Sequence, residues 1–384
     1  MQSDDAIQFA SHHSKERGLR NGPPRIVVAG AVVCVLVLLL LSGGCKRSKP
    51  GRLSPAQVHQ ITEELAKTAA DAAPKDSVVK SRRARGKSAG AGSEEIYVGI
   101  RGASSNPQIV KQKMEEIAAR HGLAITSEAL NTGGERVTLR FHGVITHRIE
   151  IEPLAAAANQ ASSPGQARLA ILLDDLGNDR NVADEVFALR VPITISVLPF
   201  HAHSEEIAKE ARQHGCEVML HLPMQSVANE SLEQQELRPG LTPEQVRTTV
   251  ETMLDAVPDA DGVNNHQGSQ ATADNVLMNE LMQVLKDERV FYVDSRTTTA
   301  TVAYDAAKRA GVRTAFRNVP FLDDVQNPGA VKRQLQLAIQ GAKRKGEAIA
   351  IGHPHSATLT ALREVLPQAK KEGVQLVVVS ELVH

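Results

Sequence analysis

One pattern of hydrophobic and polar positions repeats through the second half of the chain: a short apolar run, then a stretch with apolar residues at helical spacing. The apolar runs lie at 169–173, 193–198, 217–221, 262–265, 290–293, 312–316, 348–351 and 375–379. The amphipathic segments lie at 180–189, 204–214, 243–254, 275–286, 302–310, 330–345 and 359–371. Continuous apolar runs are typical of strands buried on both faces of a parallel sheet. The alternation predicts an α/β fold, most simply a (β/α) barrel of about seven strands, complete or incomplete.

A smaller unit with mixed periodicity precedes the barrel at residues 95–154. It has strand-like runs at 96–100, 123–130, 136–141 and 144–151, and an amphipathic helix at 107–120. These elements predict a small α+β domain. The domain carries no group of chemically reactive residues, so we expect it to act as a docking or spacer unit. A linker of small residues then leads into the barrel domain, residues 166–384.

The first 94 residues differ in composition from both domains. Residues 26–41 are apolar and uncharged and follow a polar, basic stretch, which predicts that residues 1–45 are a signal peptide or membrane anchor. Residues 46–94 are rich in Ala, Ser, Gly, Lys and Arg and predict a flexible basic linker with one helical patch at 55–70. The basic run at 80–87 is interpreted as a solvated tether because no apolar residue interrupts it.

Composition and charge narrow the classes of function. Lys plus Arg and Asp plus Glu both number 44, so the net charge is zero and no nucleic-acid partner is expected. The chain has no Trp and only 3 Tyr, which argues against a long aromatic platform for stacking sugars. Cys216 is the one cysteine beyond the N-terminal segment, so a disulfide framework is excluded there.

Ionisable residues follow the predicted strands at the points where these strands end. They are Asp174, Asp175, His221, His266, Asp294, Asp323, Asp324, His353 and His355. Active sites of parallel barrels form at the carboxyl ends of the strands, so we expect these side chains to converge on one rim. Carboxylate and imidazole together are ligands for zinc or a similar divalent ion. On the local sequence alone, the stretch that contains Asp174 and Asp175 could instead be a helix-capping turn, because Asp175 or Asn178 could cap the following helix.

Six motifs, taken in order, resemble the divergent polysaccharide deacetylases, distant relatives of the metal-dependent polysaccharide deacetylases. They are LDDLG at 173–177, LPF at 198–200, EVMLHLPMQ at 217–225, GVNNHQGS at 262–269, YVDSRTT at 292–298 and GHPH at 352–355. The resemblance covers about residues 168–381, more than half of the chain. It implies an incomplete or distorted (β/α) barrel.

The resemblance also implies roles for individual residues. It assigns Asp175, His221 and His266 as ligands of a divalent metal, with zinc expected. It assigns Asp174 as the general base and His353 as the general acid, with Asp294 orienting His353. The expected substrate-binding residues are Pro199, Asn265, Ser269 and His355.

These roles predict a hydrolase that removes acetyl groups from an envelope or extracellular polysaccharide. Family members carry an export signal or anchor, so we expect the domain on the extracytoplasmic side of a bacterial envelope, with the membrane contacted through residues 1–45. A non-catalytic module that binds envelope glycan or a protein partner on the same barrel is the alternative. A metal-dependent hydrolase of a non-sugar amide or ester is a third possibility.

Overall fold

The computed structural model describes residues 51–74, 77–84, 92–100, 107–130, 133–153, 166–228 and 233–384. The predicted signal or anchor segment lies outside these residues. No described helix has both the length and the hydropathy of a membrane span. All helices and strands given below belong to one unit, Arg52–His384.

The small domain is a five-stranded sheet with two helices on one face. Its elements are α1 (Pro55–Ala72), β1 (Val78–Arg83), β2 (Glu94–Ile100), α2 (Pro107–Arg120), β3 (Ala124–Ala129), β4 (Glu135–Phe141) and β5 (Val144–Pro153). The strand order is β1-β2-β5-β4-β3, with β2 and β5 parallel and the other pairs antiparallel. Apolar side chains of α1, such as Leu65, pack with Ile96 and Ile149 of the sheet. The structure confirms the small α+β domain that the sequence predicted here.

The small domain begins earlier than the sequence predicted, so the flexible linker assigned to residues 46–94 is corrected. Helix α1 starts at a capping box in which Ser54 and Gln57 bond each other's backbone N–H groups, and its apolar stripe packs on the sheet. Strand β1 takes up part of the basic run that was interpreted as a solvated tether. Lys80 and Arg82 of β1 form ion pairs with Asp261 and Asp259 of the barrel. The sequence pattern could not reveal these partners because they lie far along the chain.

The barrel domain alternates strands and helices as predicted. Its elements are β6 (Ala167–Leu176), α3 (Arg180–Phe187), β7 (Thr194–Val197), α4 (Ser204–Ala211), β8 (Glu217–Met224), α5 (Pro243–Ala256), β9 (Gly262–Gln267), α6 (Asn275–Glu288), β10 (Phe291–Asp294), α7 (Ala303–Ala310), β11 (Thr314–Phe316), α8 (Pro328–Lys345), β12 (Glu347–Gly352), α9 (Ser356–Lys371) and β13 (Val374–Val377).

The strands form a nearly closed parallel barrel, which confirms the predicted fold class. The order is β11-β10-β9-β8-β7-β6-β12, and β13 pairs with the first half of β6. The segment after β11 crosses the remaining gap to β12. There the N–H groups of Asn318 and Leu322 donate to the carbonyls of Ile349 and Ile351. The barrel is therefore distorted at this seam, where hydrogen bonds from a loop replace a regular ladder.

The barrel interior has an apolar floor and a polar layer above it. Side chains of a strand alternate between its two faces, so every second residue points inward. On the lower part of the strands, Leu172, Met219 and Phe291 form a buried cluster. Two residues further along β6 and β8, the same face carries Asp174 and His221. The polar layer therefore lies at the carboxyl ends of the strands.

The small domain contacts the opposite end of the barrel. Its partners there are Glu217, which begins β8, Asp261, which precedes β9, and Arg289, which precedes β10. The guanidinium of Arg212 also lies 4.5 Å from the ring centre of Tyr97. A cleft of about 1190 Å³ runs between the two domains at this end. The small domain thus leaves the carboxyl ends of the strands open.

Candidate metal centre and active site

An irregularity near the end of strand β6 lets two neighbouring aspartates serve one site. The pairing register between β6 and β7 shifts between Leu173 and Leu176, and Asp175 has a left-handed φ of 60°. In a regular strand Asp174 and Asp175 would point to opposite faces. The left-handed conformation is uncommon for a residue other than glycine, and such conformations cluster at functional sites. Asp179 caps helix α3, so neither Asp175 nor Asn178 has the capping role that the sequence left open.

Asp175 lies between two histidines from neighbouring strands. Its Oδ1 atom is 3.1 Å from Nε2 of His221 on β8 and 3.0 Å from Nδ1 of His266 on β9. The two imidazole rings are 4.8 Å apart between centres and inclined by 70°. One candidate ligand atom from each of the three residues lies within 4.8 Å of the others. The structure therefore brings together the three residues that the sequence analysis named as metal ligands.

The chemistry of this group fits a divalent cation. Asp175 Oδ1 is buried and has no hydrogen-bond partner in the described part of the chain, although two ring nitrogens lie close to it. Burial alone would raise the pKa of Asp175, but His221 and His266 outweigh burial and hold this pKa well below its usual range. A buried carboxylate oxygen without a donor is costly. A cation bound by this oxygen and the two imidazoles would remove that cost.

Asp174 is almost fully buried beside the three candidate ligands. Its Oδ1 accepts a hydrogen bond of 2.9 Å from Nδ2 of Asn264, and its Oδ2 lies 3.7 Å from Nε2 of His221. Burial raises the pKa of Asp174 above its usual value, against the opposing effect of His221 and His353. Asp174 also lines the cleft at the mouth of the barrel. A carboxylate in this setting has the position and the raised pKa of a general base.

His353 faces the same cleft from the end of β12 and is held by Asp323. Its Nδ1 lies 3.0 Å from Asp323 Oδ1, and its backbone N–H donates to Asp323 Oδ2 at 2.6 Å. Asp323 Oδ2 also accepts from the Thr358 hydroxyl, at 2.8 Å. Burial lowers the pKa of His353, but the hydrogen bond to Asp323 and the charges of Asp174, Asp175 and Asp323 outweigh burial and raise this pKa to about 9. His353 Nε2 lies 3.7 Å from Asp175 Oδ2, so a proton-bearing imidazole faces the candidate metal ligands.

The prediction that Asp294 orients His353 was wrong. Asp294 accepts hydrogen bonds from the backbone N–H of Arg296 and from the Thr301 hydroxyl, so it organises the loop after β10. Asp323 takes the orienting role because the segment after β11 folds across the barrel seam. The sequence places Asp323 after the sixth strand, but the course of that loop could not be read from its pattern.

The cleft in front of these residues has a volume of about 250 Å³, and its lining residues other than Phe321 are of polar types. Ser269 lines it, together with Ser226, which the sequence analysis missed. The hydroxyls of these two serines lie 3.0 Å apart and belong to the loops after β8 and β9. Sequence pattern alone gave no signal for Ser226, since a serine in a loop has many ordinary roles.

The other predicted substrate-binding residues differ in their positions. Asn265 borders the cleft, but its Oδ1 accepts from the Tyr292 hydroxyl and the Ser295 N–H, which commits it to the barrel wall. Pro199 is buried in the turn after β7. His355 is exposed, and its Nε2 lies 3.0 Å from Nε2 of Gln326. Pro199 and His355 are not among the cleft-lining residues in the described part of the chain.

Comparison with known proteins places this barrel in a family. The family model described as divergent polysaccharide deacetylase matches residues 171–383, and the chain belongs to that family. Over 212 residues, 55% of this chain, it is 38% identical to the uncharacterized protein YibQ of Escherichia coli, of which the match spans 66%. It is 39% identical to an uncharacterized protein of Haemophilus influenzae, again over 212 residues and 55% of this chain, and spans 75% of that protein.

A solved structure has a similar fold. The crystal structure of an uncharacterized protein from Agrobacterium tumefaciens superposes with a TM-score of 0.55 at 19% identity. The superposition covers 58% of this chain and 92% of that chain. At this level of identity the similarity concerns the fold alone.

Proposed function

We propose that the chain is a metal-dependent hydrolase that removes acetyl groups from an envelope or extracellular polysaccharide. The observation that carries the proposal is the buried, unbonded Asp175 oxygen between two imidazoles, with Asp174 beside it and His353 across the cleft. Membership of the divergent polysaccharide deacetylase family supports a sugar polymer as the substrate. The hydroxyl and amide groups that line the cleft suit a carbohydrate.

Asp175, His221 and His266 would hold the metal ion. Zinc fits this mixture of imidazole and carboxylate, and three protein ligands are the usual number in catalytic zinc sites. When bound, such an ion supplies Lewis acidity, which polarises a carbonyl and makes water more nucleophilic at neutral pH.

Asp174 serves as the general base in this proposal. Its Oδ1 is occupied by the Asn264 amide, so Oδ2 is the oxygen that takes the proton from the attacking water. The raised pKa of Asp174 makes the carboxylate a stronger base than an exposed aspartate. Burial also keeps bulk water from competing for this oxygen.

His353 serves as the general acid. Because Asp323 lies against Nδ1, the Nε2–H of the protonated ring is directed into the cleft. With a pKa of about 9, the ring carries its proton at neutral pH and can give it to the departing amine or alcohol. Transfer of that proton to the leaving group completes hydrolysis and releases acetate.

We also propose that the barrel acts outside the cytoplasm of a bacterial cell. The support is the uncharged apolar stretch at 26–41, which follows a basic N-terminal region. A reporter enzyme that is active only outside the cytoplasm, fused after His384, should be active. An expressed but inactive fusion would contradict this localisation.

Acetate release tests the enzymatic proposal. The purified chain is incubated with fragments of peptidoglycan, chitooligosaccharide and xylan, with and without a chelator. We expect acetate from at least one substrate, loss of release with the chelator, and recovery with added zinc. Metal binding without acetate release from any of the three would instead favour the alternative, a non-catalytic glycan-binding or partner-binding module.

A further inference from the structure

Asn264 lies at the centre of the polar layer and uses its whole carboxamide. Oδ1 accepts hydrogen bonds from His221 Nδ1, at 3.0 Å, and from the Ser196 hydroxyl. Nδ2 donates to Asp174 Oδ1 at 2.9 Å and to the Ser295 hydroxyl at 3.1 Å. The residue is fully buried, and these four bonds are all that an amide side chain can make. Asn264 therefore connects a candidate metal ligand directly to the candidate base.

The bond to His221 decides which ring nitrogen can bind a cation. An amide oxygen only accepts hydrogen bonds, so His221 must carry a proton on Nδ1. The neutral ring then has its lone pair on Nε2, the atom that lies 3.1 Å from Asp175 Oδ1. Bonds of this kind set the tautomer and orientation of metal-binding histidines.

The bond to Asp174 decides which carboxylate oxygen is available. Because Nδ2 occupies Asp174 Oδ1, the other oxygen is left on the side of His221 Nε2, 3.7 Å away. The reverse orientation of the amide would bring its oxygen against Asp174 Oδ1, and two acceptors repel each other. The network therefore fixes the direction of the amide.

We propose that Asn264 is a positioning residue that couples metal binding to base catalysis, holding His221 in its coordinating tautomer and Asp174 in its proton-accepting orientation. This inference rests on the proposed function. It goes further because it makes one neutral side chain responsible for both properties. It also predicts that the two properties can be separated by changing the two ends of the amide independently.

Two substitutions separate the effects. Asn264→Asp keeps an acceptor facing His221 Nδ1 but places a second carboxylate oxygen against Asp174 Oδ1. Asn264→Ala removes both contacts. We expect Asn264→Ala to weaken zinc binding by about 10- to 100-fold, the range for loss of such a supporting bond. Asn264→Asp should bind zinc no more weakly than the wild type, and both variants should lose about 100-fold in kcat with little change in KM.

Zinc affinity is measured on the full chain by competition with a chelator, and the proton position on His221 by ¹⁵N NMR of the zinc-loaded protein. Thr194→Ala is the matched control. Thr194 is a buried residue at the opposite end of the barrel, where its hydroxyl donates to Glu217 and accepts from the Val379 N–H. Its loss should reduce stability without changing zinc affinity or the His221 tautomer.

The outcomes distinguish this inference from the proposed function. Equal zinc affinity for Asn264→Ala and Thr194→Ala, with His221 still protonated on Nδ1 in both, would overturn the inference. If the variants differ in zinc affinity as expected while the wild type releases no acetate, the role of Asn264 in metal binding holds, and its role in base catalysis fails together with the hydrolase proposal. A wild-type chain that binds no zinc would overturn both.

Discussion

Buried charge is concentrated at both ends of the barrel, and the two ends compensate it differently. Where the small domain docks, carboxylates meet basic side chains: Asp261 lies 2.5 Å from Lys80, and Asp259 pairs with Arg82. At the open end, Asp174 and Asp175 are adjacent, and in the described part of the chain their ion-pair partners are histidines alone. One end is a neutralised joint between domains. The other end groups carboxylates with imidazoles, a set of side chains that would bind a divalent cation in the proposed function.

The comparison also explains why cleft size does not identify the site. The interdomain cleft is several times larger than the one at the open end, but acidic and basic residues alternate along its walls. Left-handed backbone and shifted pKa values occur beside both clefts, but beside the smaller one the carboxylates of Asp174 and Asp175 meet imidazoles and not Lys or Arg side chains. Carboxylates grouped with imidazoles are a ligand set for a divalent cation, whereas carboxylates paired with Lys and Arg are already neutralised.

The largest expected effect comes from removing the base at the open end. Asp174→Asn should lower acetate release by about 100- to 10,000-fold, because proton transfer to the carboxylate is lost. Metal content should be unchanged, since Asp174 is not among the three candidate ligands. Kinetics and metal analysis on the same preparation test this prediction. Normal turnover by the variant would remove Asp174 from the mechanism.

A change in pH dependence is expected from Asp323→Asn. The general acid must be protonated, and the pKa of His353 is about 9, so activity should fall as pH rises through about 9. Removing the Asp323 charge lowers the pKa of His353. The loss of activity on the alkaline side of the pH–activity profile should therefore occur at a pH lower by about one unit or more. The matched control is Asp294→Asn, for which activity should fall at the same alkaline pH as in the wild type. If the pH profile shifts for Asp294→Asn but not for Asp323→Asn, Asp294 orients His353, as the sequence predicted.

Substitution of a charged residue should change the free energy of unfolding of the metal-free protein in opposite directions at the two ends of the barrel. The pKa of Asp174 is raised in the folded state, so its protonation favours folding below the unfolded value of 3.8, and this contribution is lost as pH rises through the folded pKa. Asp174→Asn should therefore raise the free energy of unfolding at neutral pH by about 1–2 kcal/mol. Denaturant titrations in chelator at several pH values measure the gain. A gain that fails to grow with pH would contradict a charge effect.

The smallest effect is expected at the domain joint. Arg82→Gln removes the partner of Glu95 and Asp259 but leaves the site untouched. Because these side chains are partly exposed, we expect a loss of about 1 kcal/mol or less, declining with added salt. Arg120→Gln, which removes a more exposed pair with Glu64, is the control and should change stability still less. Salt-independent destabilisation by Arg82→Gln would show that the joint depends on packing.

The barrel could be predicted from the sequence because the patterns that specify its strands are local. Continuous apolar runs such as 169–173 identify buried strands wherever they pack, and the ionisable residues that follow them lie at a common rim for any parallel barrel. The membership of Asp175, His221 and His266 in one cluster followed from this rule and from the resemblance. The left-handed turn at Asp175, which points both aspartates into the site, had no such signal.

The errors arise where structure depends on distant partners. Strand β1 looked like a tether because most of the carboxylates that pair with its charges belong to the barrel, far along the chain (181 positions for the Lys80–Asp261 pair). Asp294 was preferred over Asp323 because it ends a strand directly, whereas Asp323 reaches His353 through the loop at the barrel seam. Local periodicity specifies elements, but the pairing of loops with strand ends is set by tertiary packing.

Asp175, His221 and His266 are proposed to form a metal centre. Its most direct test is the zinc stoichiometry of the purified chain, measured after removal of loosely bound metal, beside His221→Ala and His266→Ala. We expect one zinc ion per wild-type chain and strongly reduced binding in both variants, with folding confirmed by circular dichroism. A wild-type chain that binds no zinc, or variants that bind it as tightly as the wild type, would show that these three residues do not form a metal centre.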